Sequence, residues 1–311
     1  MISRFRHEAL LYESQDDLVA TARAFIQEGV AAGDPVLVAV PERNGRLIRS
    51  AVGEERGVEF VDMEGVGRNP ARILPVWQRF VAESQRRGRN ARGIGEPMWP
   101  GRGEAEIDEC ERHEALMNVA FARGPSWRLV CPYDASRLPD AVIERAAHTH
   151  ARILTRRGSA QSRRYSLPAG REVAFGGTFP APPASAAHVW FGPAELAAVR
   201  NLVSEHALRL GLGVDRAADL VIAANELATN SVRHGGGGGT LRIWGDGGAV
   251  ACEVRDAGRF SDPLSGRRFP APDSADGRGL WIANQLCDLV QVRSSQAGSA
   301  VRLRMDQAAS E

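Results

Sequence analysis

Glu226-Leu-Ala-Thr-Asn230-Ser-Val-Arg-His234-Gly235 closes a helical pattern that starts at Asp215. Leu220, Ala223, Ala224, Leu227, Ala228 and Ser231 recur at helical spacing and predict a narrow buried stripe of small residues. Glu226 and Asn230 stand four residues apart, so they share one face a turn apart. An amide oxygen such as that of Asn230 suits Mg²⁺ beside phosphate oxygens and water. A carboxylate at Glu226 can orient or deprotonate a hydroxyl. The pair fits a solvated helix surface equally well, because polar pairs at this spacing are common there.

The pattern stops at a glycine run, Gly235–Gly239, which reads as a helix stop and flexible turn into a strand at Thr240–Trp244. The run follows a helix and precedes a strand, which is the wrong context for a dinucleotide fingerprint. Ala249–Arg255 reads as a second strand, with Val250, Cys252 and Val254 on one face, and Asp256-Ala-Gly258 ends it. A carboxylate at a strand end can accept a hydrogen bond from an adenine amino group, although the motif is also an ordinary turn. Arg259–Ala275, rich in Pro, Ser, Arg and Gly, reads as a mobile loop. Asp276-Gly277-Arg278-Gly279 then opens a helix over Leu280–Leu289. Its free amides and positive dipole end suit phosphate, and Asp276 also fits an N-cap.

In this order, Glu226 to Gly235, Asp256-Ala-Gly258 and Asp276-Gly-Arg-Gly279-Leu resemble the N, G1 and G2 boxes of the GHKL ATPases, specifically the RsbW-like anti-sigma-factor serine kinases. The resemblance runs over about Phe179–Met305, with a helix at Ala194–Leu210 and a closing strand at Gly298–Arg304. It implies ATP and Mg²⁺ as cofactors. Glu226 would be the general base that phosphorylates a serine on an antagonist, and Asn230 the Mg²⁺ ligand. Asp256, with Gly258, would bind adenine, Gly277 and Gly279 would contact phosphates, and Asp276 and Arg278 would complete the cofactor-binding set. Ser299 stands where many relatives have Thr and keeps the hydroxyl. The implied partners are a sigma factor, a STAS-type anti-sigma antagonist and a second copy of the chain as a homodimer.

All 39 basic residues are Arg, so a Walker A lysine is excluded. A formal net charge of +1 gives no global pull toward nucleic acid or acidic membrane, and neither is expected as a partner. Four scattered cysteines, an N-terminus holding Arg4, Arg6, His7 and Glu8, and no apolar run of about 20 residues together predict a reduced, cytoplasmic protein.

The front half alternates strands and helices. Strands are predicted at Leu10–Tyr12, Pro35–Val40, Val58–Asp62, Ala91–Ile94 and Trp127–Cys131. Helices are predicted at Gln15–Ala32, Asn44–Val52, Pro70–Arg86 (capped by Asn69), Glu104–Ala122 and Pro139–His150. That order predicts an α/β domain with a doubly wound, mostly parallel sheet, whose ligands bind beyond the C-terminal strand ends. Gly95-Glu-Pro-Met-Trp-Pro100, Glu109-Cys-Glu-Arg-His-Glu-Ala-Leu116 and Cys131-Pro-Tyr-Asp134 resemble the MEDS sensory domain over most of residues 4–150. Glu96, Trp99, Cys110, His113, Cys131, Tyr133 and Asp134 make up a candidate sensory pocket for an unknown ligand. Cys110 and His113, one helical turn apart, could face a metal with Cys131 and one of His148, His150 or Asp134. No paired CxxC or HxxxH supports that set, and buried free cysteines are common.

The expected organisation is a sensory domain over 1–157, a linker over 158–178 and a GHKL domain over 179–307, the latter an α+β sandwich with helices on one face of a mixed sheet. A sensor histidine kinase is the main rival, and it needs a helical hairpin carrying a phosphoacceptor. Only His148 and His150 lie nearby, and no heptad pattern follows them. A nucleotide-binding module that sequesters a sigma factor without kinase activity is the other alternative.

Overall fold

A computed structural model describes residues 5–166, 170–270 and 277–307, in two compact units, Met1–Gly170 and Arg171–Glu311. In the first unit the chain runs through β1 (Phe5–Tyr12), α1 (Gln15–Ala32), β2 (Val36–Val40), α2 (Glu42–Val52), β3 (Val58–Asp62) and α3 (Met63–Gly67). A 3₁₀ turn at Pro70–Arg72 leads into α4 (Ile73–Arg86), followed by β4 (Ala91–Gly95), α5 (Glu104–Phe121), β5 (Trp127–Asp134), α6 (Asp140–Thr149), β6 (Arg152–Thr155) and β7 (Gly158–Gln161).

Local chemistry sets several of these boundaries. Ser14 accepts a hydrogen bond from Asp17 N at 3.2 Å to start α1, and Gly33, at φ 71°, ends it in the left-handed region that glycine enters without strain. Asn69 accepts from Ala71 N at 3.1 Å, but the turn it caps is 3₁₀ and the α-helix follows at Ile73. All five residues of β2 are buried, as a central parallel strand requires. The seven-stranded sheet has the order β3-β2-β4-β5-β1-β6-β7 and is parallel except for the β6–β7 pair. Gly93 and Gly95 make room for the buried Trp77 indole: a Cβ on Gly93 would lie 2.6 Å from it. Burying an indole of roughly 150–250 Å² contributes ~4–6 kcal/mol at about 25 cal/mol per Å².

The second unit contains α7 (Gly170–Phe175), β8 (Ala187–Phe191), a 3₁₀ turn at Pro193–Glu195, α8 (Leu196–Arg209) and α9 (Val214–His234). It continues with β9 (Gly239–Gly245), β10 (Ala249–Asp256), α10 (Arg278–Leu286), β11 (Leu289–Ser295) and β12 (Gly298–Asp306). Its sheet has the order β11-β12-β10-β9-β8, and every pairing described in it is antiparallel. The small-residue stripe of α9, from Ala217 to Ser231, is buried against the sheet, α8 and α10, in one core with Val203, Leu241, Val254, Leu280 and Leu303. Phe179 lies under the Arg293 and Arg302 guanidinium groups, 4.7 and 4.5 Å from its ring centre.

The stretch read as a linker, 158–178, is partly structured. Gly158–Gln161 pairs with β6 and extends the first sheet, and Phe175 of α7 packs on Phe260, with ring centres 5.5 Å apart, in the second unit. Strands of four residues, with β7 exposed throughout, carry too little periodicity to be recognised in sequence. The loop read as mobile is pinned at its near end. Leu264 is buried, and Asn284 Nδ2 donates to Gly266 O at 3.0 Å. Asp276 lies outside the described residues. No helix among the described residues is long and apolar enough to cross a membrane.

Candidate functional site

The end of α9 and the end of β10 are joined through backbone and one carboxylate. Ala257 N donates to Gly235 O at 3.0 Å. Ser231 Oγ donates to Asp256 Oδ2 at 2.6 Å, and Gly258 N donates to Asp256 Oδ1 at 2.8 Å. Ser299, paired with Asp256 across β10–β12, donates its hydroxyl to Gly258 O at 2.7 Å. The approach is too close for side chains: a Cβ on Gly235 would lie 2.6 Å from Asp256 Cγ, and one on Gly258 would lie 2.7 Å from His234 O. Asp256 is therefore oriented from both oxygens, with lone pairs left over for a ligand donor.

The start of α10 closes the other side. Gly277 is its N-cap at φ 86°, and Gly279 packs against α9 so tightly that a Cβ would lie 2.6 Å from Asn230 Nδ2 and 3.1 Å from Glu226 Oε2. A cavity of about 310 Å³ lies between, lined by Asn230, Asp256, Gly258, Phe260, Gly277 and Leu280, with Ser299 also on its wall. Glu226 lies one turn back on α9 and is not among the lining residues, and Arg278 is exposed in the first turn of α10. The donor set fits a nucleotide with a divalent ion. Phe260 and Leu280 offer apolar contact for a base, Asp256 an acceptor for its amino group, Asn230 an oxygen ligand, and the α10 N-terminus the positive end of a helix dipole for phosphate. Ser231, read in sequence only as part of the buried stripe, and Phe260 of the loop are additional contributors. The Ser231 contact was hidden because its partner lies 25 residues away.

In the first unit a polar cleft of about 560 Å³ opens at the C-terminal ends of the parallel strands, framed by Tyr12, Asn44, Glu64, Glu96, Trp99 and Asp134. Glu96 is buried, accepting from Tyr12 Oη at 3.0 Å and from Asn44 Nδ2 at 2.8 Å. Burial pushes its carboxyl up to about 8, against the opposing pull of those two hydrogen bonds. Near neutral pH it is mostly the protonated acid, able to donate as well as accept. The Arg102 guanidinium lies over Trp99, 3.4 Å from the ring centre. Tyr12 and Asn44 were not singled out in sequence; the placement of Tyr12 at a strand end was their only signal.

The structure does not bring all seven candidate sensory residues together. Glu96, Trp99 and Asp134 share the cleft. Cys110 Sγ contacts Pro97 O at 3.3 Å, and burial pushes its thiol up to about 12. His113 is buried on α5. Cys131 and Tyr133 belong elsewhere: Cys131 Sγ lies 3.3 Å from His7 Nε2, and the Tyr133 ring stands edge-on to His150. The cluster of potential metal ligands described here is His7, Glu114, Cys131 and His150, without Cys110 or His113. Burial alone would raise the Glu114 carboxyl, but hydrogen bonds and charge from His150 and His7 outweigh it and hold the carboxyl below the usual range. Burial, then the neighbouring His150, lowers the pKa of His7.

Residues 6–151 match the MEDS family, described as the MEthanogen/methylotroph, DcmR Sensory domain. Residues 189–305 match the histidine kinase-like ATPase domain. No curated protein matches the chain. Among solved structures, it is similar to the RsbU and RsbW domains of Rv1364c from Mycobacterium tuberculosis at 21% identity and a TM-score of 0.31. That likeness spans 40% of this chain and 33% of the other, and by itself does not define a fold.

Proposed function

We propose that this chain, a MEDS sensory domain joined to a histidine kinase-like ATPase domain, is a signal-responsive anti-sigma regulator. It binds ATP with Mg²⁺, controls a sigma factor by partner switching, and phosphorylates a serine on a STAS-type antagonist. The observation that carries the nucleotide half is the Asp256 carboxylate held by Ser231 and Gly258 at the wall of the cavity. Asp256 accepts from the adenine amino group, and Asn230 offers its amide oxygen to the divalent ion. Bound ATP supplies the transferable phosphoryl group, and the ion neutralises its charge. Glu226 takes the proton of the partner's serine hydroxyl. The first unit reads its signal in the Glu96 cleft. A homodimer is part of the proposal, and sedimentation of the purified chain tests it.

One observation favours a second reading, a sequestering module that binds nucleotide without transferring phosphate: Glu226 does not line the cavity. A histidine kinase has less support. His150 is fully buried, and the one helix among the described residues between α6 and the second sheet is the six-residue α7.

The deciding experiment captures partners with ATP or ADP present and incubates them with γ-labelled ATP. Label is expected on a serine of the antagonist. In Glu226→Gln it should fall by at least ~100-fold, the usual contribution of a general base, with ATP affinity within about twofold. ATP binding without label on any captured partner selects the sequestering module, and label retained on His148 selects the histidine kinase.

A further inference from the structure

Four side chains that could ligate a metal converge beneath α5 and α6, and none of them lines the Glu96 cleft. His7 and Cys131 come from the adjacent parallel strands β1 and β5. Ala9 is the register partner of Cys131, so His7, two residues earlier, projects on the same sheet face. Glu114 comes from α5, and His150 from the C-terminal end of α6. All four are buried, and their ligand atoms lie within 4.8 Å of one another.

The separations have the scale of a coordination shell. His7 Nε2 to Glu114 Oε2 is 2.9 Å, His150 Nε2 to Glu114 Oε2 is 3.3 Å, His7 Nε2 to Cys131 Sγ is 3.3 Å, and Cys131 Sγ to Glu114 Oε2 is 3.5 Å. Bonds of the usual zinc–nitrogen, zinc–oxygen and zinc–sulfur lengths, set tetrahedrally, put neighbouring ligand atoms roughly 3.4–3.6 Å apart.

The hydrogen bonding of His150 is a second observation. Its Nδ1 lies 2.9 Å from Ala146 O, and a carbonyl can only accept, so Nδ1 carries the proton. Its Nε2 is turned toward the Glu114 carboxylate at 3.3 Å, fully buried. A ring N–H donated to a backbone carbonyl, with the other nitrogen turned inward, is the usual support of a metal-bound histidine.

We propose that His7, Glu114, Cys131 and His150 form a closed tetrahedral site for a divalent transition-metal ion of the zinc type. One thiolate and one carboxylate against a 2+ ion make the site neutral, which suits its burial. Four protein ligands leave no position for a substrate, so the ion's task is structural. It ties β1, β5, α5 and α6 together. β5 also carries Asp134, three residues beyond Cys131, into the polar cleft, so the ion fixes a strand that frames that cleft.

The test uses the full chain, freed of metal by chelation and titrated with Zn²⁺ alone, then with Co²⁺ as a spectroscopic substitute. About one zinc per chain is expected. Co²⁺ should give a thiolate-to-metal charge-transfer band and the intense visible bands of tetrahedral coordination. Cys131→Ser and His150→Ala should each weaken zinc binding by at least ~100-fold, whereas Cys110→Ser, outside the cluster, should leave it unchanged. Zinc well below one per folded chain, or undiminished affinity in Cys131→Ser, would overturn the proposal and leave an imidazolium–carboxylate pair in the core. If the ligand variants fail to fold, the wild-type Co²⁺ spectrum decides, and absence of the thiolate band counts against the site.

Discussion

Asp256 and Glu96 are both carboxylates at strand ends, and their surroundings give them opposite tasks. Asp256 is half-buried and accepts from Ser231 and Gly258, which orients it as an acceptor. Asp256→Asn should weaken ATP binding by about 10–100-fold, the value of one hydrogen bond to a charged group at roughly 1.5–3 kcal/mol. Titration calorimetry with Mg-ATP checks this, and an unchanged Kd would remove Asp256 from the site. Glu96 is raised from its ordinary 4.5 to about 8, so between those values the folded chain holds a proton that the unfolded chain releases. Its contribution to stability is full below about pH 4.5 and is lost as pH rises toward 8. Glu96→Gln keeps the shape and removes the titration. Its unfolding temperature relative to wild type should therefore rise as pH goes from 5 to 8, by several degrees at pH 8; parallel pH profiles for the two proteins would show that Glu96 is ionised throughout. Of these two residues, the sequence marked the position of each but the state of neither, because a pKa depends on burial and partners that the chain order does not contain.

At the scale of elements, the contact between α9 and the start of α10 is the most exacting feature of the nucleotide cavity. The atoms nearest a methyl group on Gly279 belong to the ends of the Asn230 and Glu226 side chains, which can swing away at small cost to the fold. Those two ends are the groups proposed to hold the ion and to take the proton. Gly279→Ala should therefore weaken Mg-ATP binding at least tenfold while the far-UV circular dichroism stays as in wild type. Unchanged affinity would mean that the site tolerates a displaced Asn230. The extents of α1 and β3 were fully legible in the sequence, because Ser14, Gly33 and the apolar alternation are local signals. The β6–β7 hairpin was not, because strands of four residues, one of them fully exposed, form only when a neighbouring strand offers an edge.

At the scale of the whole molecule, the two units have separate cores and separate candidate sites. Calorimetry of the intact chain should resolve two unfolding transitions. Mg-ATP at a hundredfold excess over its Kd adds about 2.7 kcal/mol to the unit that binds it and should raise that transition alone, by on the order of 10 °C. A single transition, raised as a whole, would show instead that the units unfold as one.

Hydrophobic periodicity is written locally, so the sequence by itself determined the α/β alternation, the small-residue face of α9 and the order of the boxes carrying Glu226, Asp256 and Gly279. The absence of lysine excluded a P-loop directly. Tertiary structure alone decided which buried faces meet. Among the candidate sensory residues it put Glu96, Trp99 and Asp134 in a polar cleft, Cys131 in a separate buried cluster, and Cys110 and His113 in neither. It also brought His7 to Cys131 across 124 residues, through the parallel pairing of β1 with β5. Periodicity says which side of a strand turns inward, whereas its neighbour and register are set by packing energies summed over the whole unit.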